Sequence, residues 1–308
     1  MPVITPFIPM DRRKFISYTS TALLSPPICL KSDLIISRSI PSTGEKLPVI
    51  GMGTWRTFDT VQFDALTIRK KILSQLAAAG NKLIDSSPMY GRSEATIGDI
   101  IYTLQNRSMF FLASKVWTSG KQAGIHQIQD TFRLMKTEKM DLMQVHNLVD
   151  VHTQLHTLMD MKARGLIRYI GITHYLPGAY DEMIKLIKNE KLDFVQCNYN
   201  IYSREAEKRL IPAAHDAGCA IIINRPFEEG QLFDYVKGKK IPEWIKEMGI
   251  HTWAAFFLKY IISNPKVCFT IPATSNPDHL VENIAAGRGY IPMESERLRM
   301  IKEFENRK

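Results

Sequence analysis

Residues 81–91 read NKLIDSSPMYG, residues 110–117 FFLASKVW and residues 141–147 DLMQVHN. Each is a short apolar run of strand length, and each ends on a residue able to carry chemistry: Asp85 with Tyr90 just beyond it, Lys115, and His146. If these runs are parallel strands of one barrel, their C-terminal ends share one mouth, and residues distant in sequence converge there. Five further runs have the same character: VIGMGT at 49–54, YIGITH at 169–174, FVQCNY at 194–199, CAIIIN at 219–224 and VCFTIP at 267–272. Between them lie segments with helical period at 62–80, 93–104, 125–136, 149–165, 179–189, 204–218, 253–263 and 277–287, several closing on Gly as a helix C-terminus does. Eight strands alternating with eight helices predict an α/β fold of the closed (β/α)8 TIM-barrel type rather than an open doubly wound sheet.

A Rossmann sheet would carry GxGxxG directly behind its first strand; GMGTW at 51–55 has the wrong spacing and no helix opens behind it. Ahead of the barrel, LIISRSI and KLPVIGM flank the turn-rich PSTGE, which predicts an N-terminal β-hairpin from residue 34 that plugs one end. Two connections are long, residues 54–61 after the first strand and 224–251 after the seventh. Long loops at that face are where barrels place ligand contacts.

The chain has 308 residues, of which 45% are hydrophobic, enough for one large core. Its net charge of +9 is spread along the sequence, with only DRRK and VKGKK as short basic runs, which argues for a solvated surface and against nucleic acid. Cys29, Cys197, Cys219 and Cys268 show no metal spacing, and the last three sit inside apolar runs as small core residues, giving no sign of an oxidised compartment. Residues 1–33 read as a separate leader. There Asp11, Arg12, Arg13, Phe15 and Ile16 resemble the core of a twin-arginine export signal, followed by an apolar stretch broken by Pro26 and Pro27. The expectation is periplasmic export by that route; the alternative is a disordered tail on a cytoplasmic protein. No segment is long and apolar enough for membrane insertion.

A tyrosine, a lysine, an aspartate and a histidine in one pocket form a coherent set. Phenol is a weak acid, with a reference pKa of about 10, but an adjacent ammonium stabilises the phenolate and should draw that value down. Lys115 supplies the charge, and a buried lysine needs a carboxylate such as Asp85 to keep it. His146 would orient a carbonyl oxygen or relay the proton. The set suits protonation of an oxygen as hydride reaches the carbonyl carbon.

In order and spacing, NKLIDSSPMYG, FFLASKVW and MQVHN resemble the Asp, Tyr, Lys and His segments of the aldo-keto reductase family. GMGTW, GLIRYIGIT, FVQCNYN and IPATSNPDHLVENI extend the likeness over residues 34–290, within one domain at 34–308. The resemblance implies an NAD(P)H-dependent oxidoreductase that reduces an aldehyde or ketone to an alcohol, with Tyr90 as general acid, Asp85 and Lys115 tuning it, and His146 orienting substrate. It implies cofactor contacts from Gly53 and Thr54, with Thr173, His174 and Gln196 at the nicotinamide carboxamide. Asn224 stands where many members stack a tyrosine under the nicotinamide, with Arg225 beside it, and Thr274, Asn276, His279, Glu282 and Asn283 fall at the adenosine end. NADP(H) is the implied cofactor. NAD(H) stays open, because Ala273 and His279 replace the Lys and Arg with which many members grip the 2′-phosphate.

Trp55 and Trp117 resemble the substrate's aromatic walls, with Met89 and Tyr202 as further candidates; no metal is implied. Two competing readings remain: a nicotinamide-nucleotide-binding regulatory subunit of the same type with little turnover, and a metal-dependent barrel hydrolase. His152, His156 and Asp160 lie at helical spacing but lack the HExxH pattern, so a solvated helix face explains them.

Overall fold

The computed structural model describes residues 34–308. The predicted leader, with its twin-arginine-like residues, lies outside the described part. The hairpin is formed by β1 (Ser37–Ser39) and β2 (Lys46–Pro48), antiparallel and in the predicted place. Eight parallel strands follow: β3 (Met52–Gly53), β4 (Leu83–Asp85), β5 (Phe111–Val116), β6 (Met140–His146), β7 (Ile167–His174), β8 (Phe194–Asn198), β9 (Ala220–Asn224) and β10 (Phe269–Thr270). Their order in the sheet is the order of the chain. Parallel bridges Ile50↔Thr270 and Gly53↔Ala273 close β3 onto β10 and complete the barrel.

Side chains alternate across each strand, and that period of two sorts the interior from the layer under the helices. Leu83, Phe111, Leu142, Tyr169, Phe194, Ala220 and Phe269 fill the lower interior, and Ile40 and Leu47 of the hairpin close it from below. Two residues further along each strand come Asp85, Lys115 by way of Ala113, Gln144, Gln196 and Ile222, all buried. The barrel is therefore a packed core whose uppermost inward layer turns polar at the C-terminal mouth.

Helices Phe63–Ala78, Ser93–Leu104, Lys121–Leu134, Val151–Ala163, Tyr180–Asn189, Leu210–Asp216, Trp253–Ser263 and Pro277–Ala286 form the outer ring. The predicted caps Gly80, Gly165 and Gly218 take positive φ of 80°, 75° and 73°. The helix expected over 204–218 is broken. Glu205–Lys208 and Leu210–Asp216 are separate because Pro212 has no N–H for the Lys208 carbonyl and its ring crowds that turn, and Arg209 leaves helical geometry at φ −139°, ψ −43°. The long loop after β9 carries short helices at Gln231–Val236 and Glu243–Lys246, and the chain ends in the helix Glu294–Glu305. Among the described residues no helix is long and apolar enough to cross a membrane.

Candidate active site

A cavity of about 680 Å³ opens at the C-terminal mouth, with Asp85, Tyr90, Lys115 and His146 all on its wall. Lys115 Nζ donates to Asp85 Oδ2 at 2.7 Å and to the Ser86 carbonyl at 2.6 Å. Both members of the ion pair are buried, at 1% and 2% exposure, so the charges see little water. Burial alone would depress the ammonium; the Asp85 carboxylate, then Tyr90, outweigh it and hold the Lys115 pKa above its ordinary value. The Lys115 ammonium stands 5.1 Å from the centre of the Tyr90 ring, near enough to favour a phenolate there.

The expected lowering of the Tyr90 pKa is corrected by this geometry. Burial raises it and prevails, while Lys115 pulls in the predicted direction against a smaller opposing effect of Asp85. Tyr90 therefore stands as a protonated phenol at neutral pH, the state from which a proton can be given. His146 packs edge-on against Tyr90, ring centres 5.9 Å apart at 82°. Burial, the Lys115 charge and His174 push its pKa down to about 2, so its imidazole is neutral.

Beneath these four lies a layer in which Gln196 and Thr54 were expected as cofactor contacts and Gln144 was not expected at all. Gln144 Nε2 donates to Gln196 Oε1 at 2.8 Å and approaches Asp85 Oδ1 at 3.4 Å, while Gln196 Nε2 reaches Asp85 Oδ2 at 3.5 Å. Thr54 Oγ1 donates to the Asp85 carbonyl at 2.9 Å. The signal for Gln144 was its place two residues before His146, on the same face of the strand. Ser87 was also missed, although its Oγ lies 2.9 Å from His146 Nδ1.

Of the predicted cofactor residues, Gly53, Thr54, Thr173, Gln196, Asn224, Arg225, Thr274, His279, Glu282 and Asn283 line the cavity. His174 does not. Its ring stacks on Tyr175 at 5.7 Å and 15°, its Nδ1 accepts the Leu176 N–H at 3.1 Å, and it is Tyr175 that reaches the cavity wall. Asn276 is likewise engaged elsewhere, its side chain accepting the Asp278 N–H at 2.9 Å to cap the helix Pro277–Ala286. Trp55 lines the cavity, with the Arg56 guanidinium 4.2 Å above its ring. Trp117 instead sits at the rim, 42% exposed, its ring 6.4 Å from that of His146. Met89 lines the cavity, and Tyr202 stacks on Tyr235 at 5.7 Å outside its wall. Arg56, Asn147, Phe227, Glu229 and Phe233 complete the wall, most of them from the two long loops. His156 and Asp160, 4.0 Å apart, are both exposed on the outer face of Val151–Ala163.

The sequence profile of the aldo/keto reductase family matches residues 49–306. Among curated proteins, aldo-keto reductase YhdN of Bacillus subtilis is 28% identical over 196 residues, and the match spans 58% of this chain and 58% of that relative. Methylglyoxal reductase YeaE of Escherichia coli is 26% identical over 249 residues, covering 78% and 85% of the two chains. Among solved structures, an aldo-keto reductase of Klebsiella pneumoniae in complex with NADPH superposes with a TM-score of 0.75 at 21% identity, over 88% of this chain and 96% of that one.

Proposed function

Since the chain belongs to the aldo/keto reductase family, we propose that it is an NADP(H)-dependent carbonyl reductase in which Tyr90 is the proton donor. The observation that carries this reading is the buried Lys115–Asp85 pair, 2.7 Å apart, directly behind a protonated phenol on the cavity wall. The nicotinamide cofactor, when bound, supplies a hydride to the carbonyl carbon. As the C=O π bond breaks, its electron pair moves to oxygen, and Tyr90 gives that oxygen its phenolic proton. The Lys115 ammonium stabilises the phenolate that remains, and Asp85 keeps Lys115 charged in a setting where a lone ammonium would lose its proton. Neutral His146 offers a ring N–H to the same oxygen, fixing the carbonyl against Tyr90. General acid assistance of this kind is worth about 10²- to 10⁴-fold.

The residues fit a nicotinamide. Asn224 Oδ1 is buried at the wall without a partner, an acceptor suited to a carboxamide N–H, and Thr173 and Gln196, register partners of each other, line the same cavity. NADP(H) is favoured by family membership and by the NADPH carried in the similar Klebsiella structure. His279 and Ala273 on the wall offer no guanidinium or ammonium to a 2′-phosphate, so NADH should be accepted as well. A small carbonyl is favoured by the name of the Escherichia coli relative, and Trp55, Met89 and Phe233 supply apolar wall for larger substituents.

The test is NADPH and NADH oxidation against an aldehyde and ketone panel that includes methylglyoxal, with wild type and Tyr90→Phe. Turnover in wild type and a loss of at least about 100-fold in Tyr90→Phe, with nucleotide affinity unchanged, is the expected outcome. Tight nucleotide binding without turnover on any carbonyl would turn the reading toward a regulatory subunit.

A further inference from the structure

Ser87 is wholly buried, two residues beyond the end of β4, and its hydroxyl meets the His146 imidazole. Its Oγ lies 2.9 Å from His146 Nδ1 and accepts the Met89 N–H at 3.3 Å. A serine hydroxyl has one proton and two lone pairs. With Met89 occupying one lone pair, the proton has a single side-chain acceptor among the described residues, His146 Nδ1. The reverse arrangement, with Nδ1–H donating to Oγ, would strand the buried hydroxyl proton with nothing to receive it. On this reckoning Nδ1 is the acceptor and the ring proton sits on Nε2. That nitrogen has no protein partner among the described residues, while the ring lines the cavity.

We propose that Ser87 is a positioning residue that locks His146 in its Nε2–H tautomer, so that the imidazole presents a donor rather than a lone pair to the carbonyl oxygen. The inference rests on the reductase reading for its use, but its geometry is independent of turnover. The wrong tautomer would aim a lone pair at an oxygen that gains negative charge, which is repulsive where stabilisation is needed. The other groups near the ring do not set the tautomer: Tyr90 meets it edge-on, Trp117 packs at 6.4 Å, and Lys115 and His174 act on it through space. Among the described residues the hydroxyl at position 87 is thus the one hydrogen-bonding contact on either ring nitrogen.

The test combines histidine ¹⁵N NMR of the folded protein, the His146 signal assigned by its loss in His146→Gln, with steady-state reduction of an aldehyde that wild type accepts. Wild type should give an acceptor-type Nδ1 and a protonated Nε2. Ser87→Ala should mix or invert that pattern and lower kcat by about tenfold while leaving NADPH affinity unchanged. Ser87→Thr, which keeps the hydroxyl, should restore both readouts, as a purely volumetric role would not. A wild-type signal with the proton on Nδ1, or a Ser87→Ala signal identical to wild type, overturns the proposal. Loss of the Nε2–H pattern in Ser87→Ala supports it even if no carbonyl is turned over, in which case it is the reductase reading that fails.

Discussion

Two neighbours of one cavity, Tyr90 and His146, are both driven toward their neutral forms, and for the same reason. Burial penalises phenolate and imidazolium alike, so Tyr90 keeps its proton to higher pH and His146 refuses one down to about pH 2. Charge is concentrated instead in the Lys115–Asp85 pair. The consequence for stability has a definite sign. Below about pH 6.5 the unfolded chain binds a proton at His146, and the folded chain does not until about pH 2, so the native state loses stability as pH falls through that interval. Between pH 6 and pH 4 this one group should contribute about 1.4 kcal/mol per pH unit. Urea unfolding of wild type and His146→Gln over that range should give slopes differing by about one proton; parallel slopes would mean that the folded histidine titrates normally.

At the scale of elements, the strands were the most legible part of the sequence and the helices of the outer ring the next. Strands buried on both faces read as apolar runs, and their inward polar ends stood out because Asp85, Lys115 and His146 interrupt them. Less was visible where tertiary contact decides. Gln144 and Gln196 carry the layer beneath the ion pair; alternation with His146 marks Gln144 as inward, but only the fold brings both amides to Asp85. His174 follows inward-facing Thr173, so the strand alternation turns it away from the cavity, where its ring stacks on Tyr175. The helix Ser93–Leu104 shows how close the packing becomes. A Cβ at Gly98 would stand 2.0 Å from the Leu134 carbonyl oxygen, backbone that cannot swing aside. Gly98→Ala should gain about 1 kcal/mol of helix propensity and lose more to overpacking, a net destabilisation of about 1–2 kcal/mol. A urea midpoint that rises in this variant would show that the two helices can separate at little cost.

Across the whole molecule, the barrel supplies a rigid floor and the two long loops supply walls, and the loops were legible only as lengths. Their mutual contact depends on backbone that no propensity rule anticipates: Arg56, Arg225, Glu228 and Glu229 all adopt positive φ, at 60°, 49°, 48° and 56°. That geometry brings Arg56 Nη1 to 3.4 Å from Glu229 Oε2 across the cavity, and Arg225 Nη2 to 3.1 Å from Glu229 Oε1. The first pair joins the loop after β3 to the loop after β9, strands six steps apart around the barrel one way and two steps the other, across the β3–β10 seam. Arg56 is 69% exposed, so the link should be weak and screened by salt, worth no more than about 1 kcal/mol. If nucleotide lies beneath it, as the reductase reading requires, Glu229→Gln should speed NADPH release by up to about fivefold at low ionic strength. Wild type and variant should converge as salt is raised, because screening removes from wild type the contact that substitution removes from the variant. Stopped-flow fluorescence of NADPH at two salt concentrations measures both rates. A difference that persists undiminished at high salt would assign the effect to the strained backbone at Glu229 rather than to its charge.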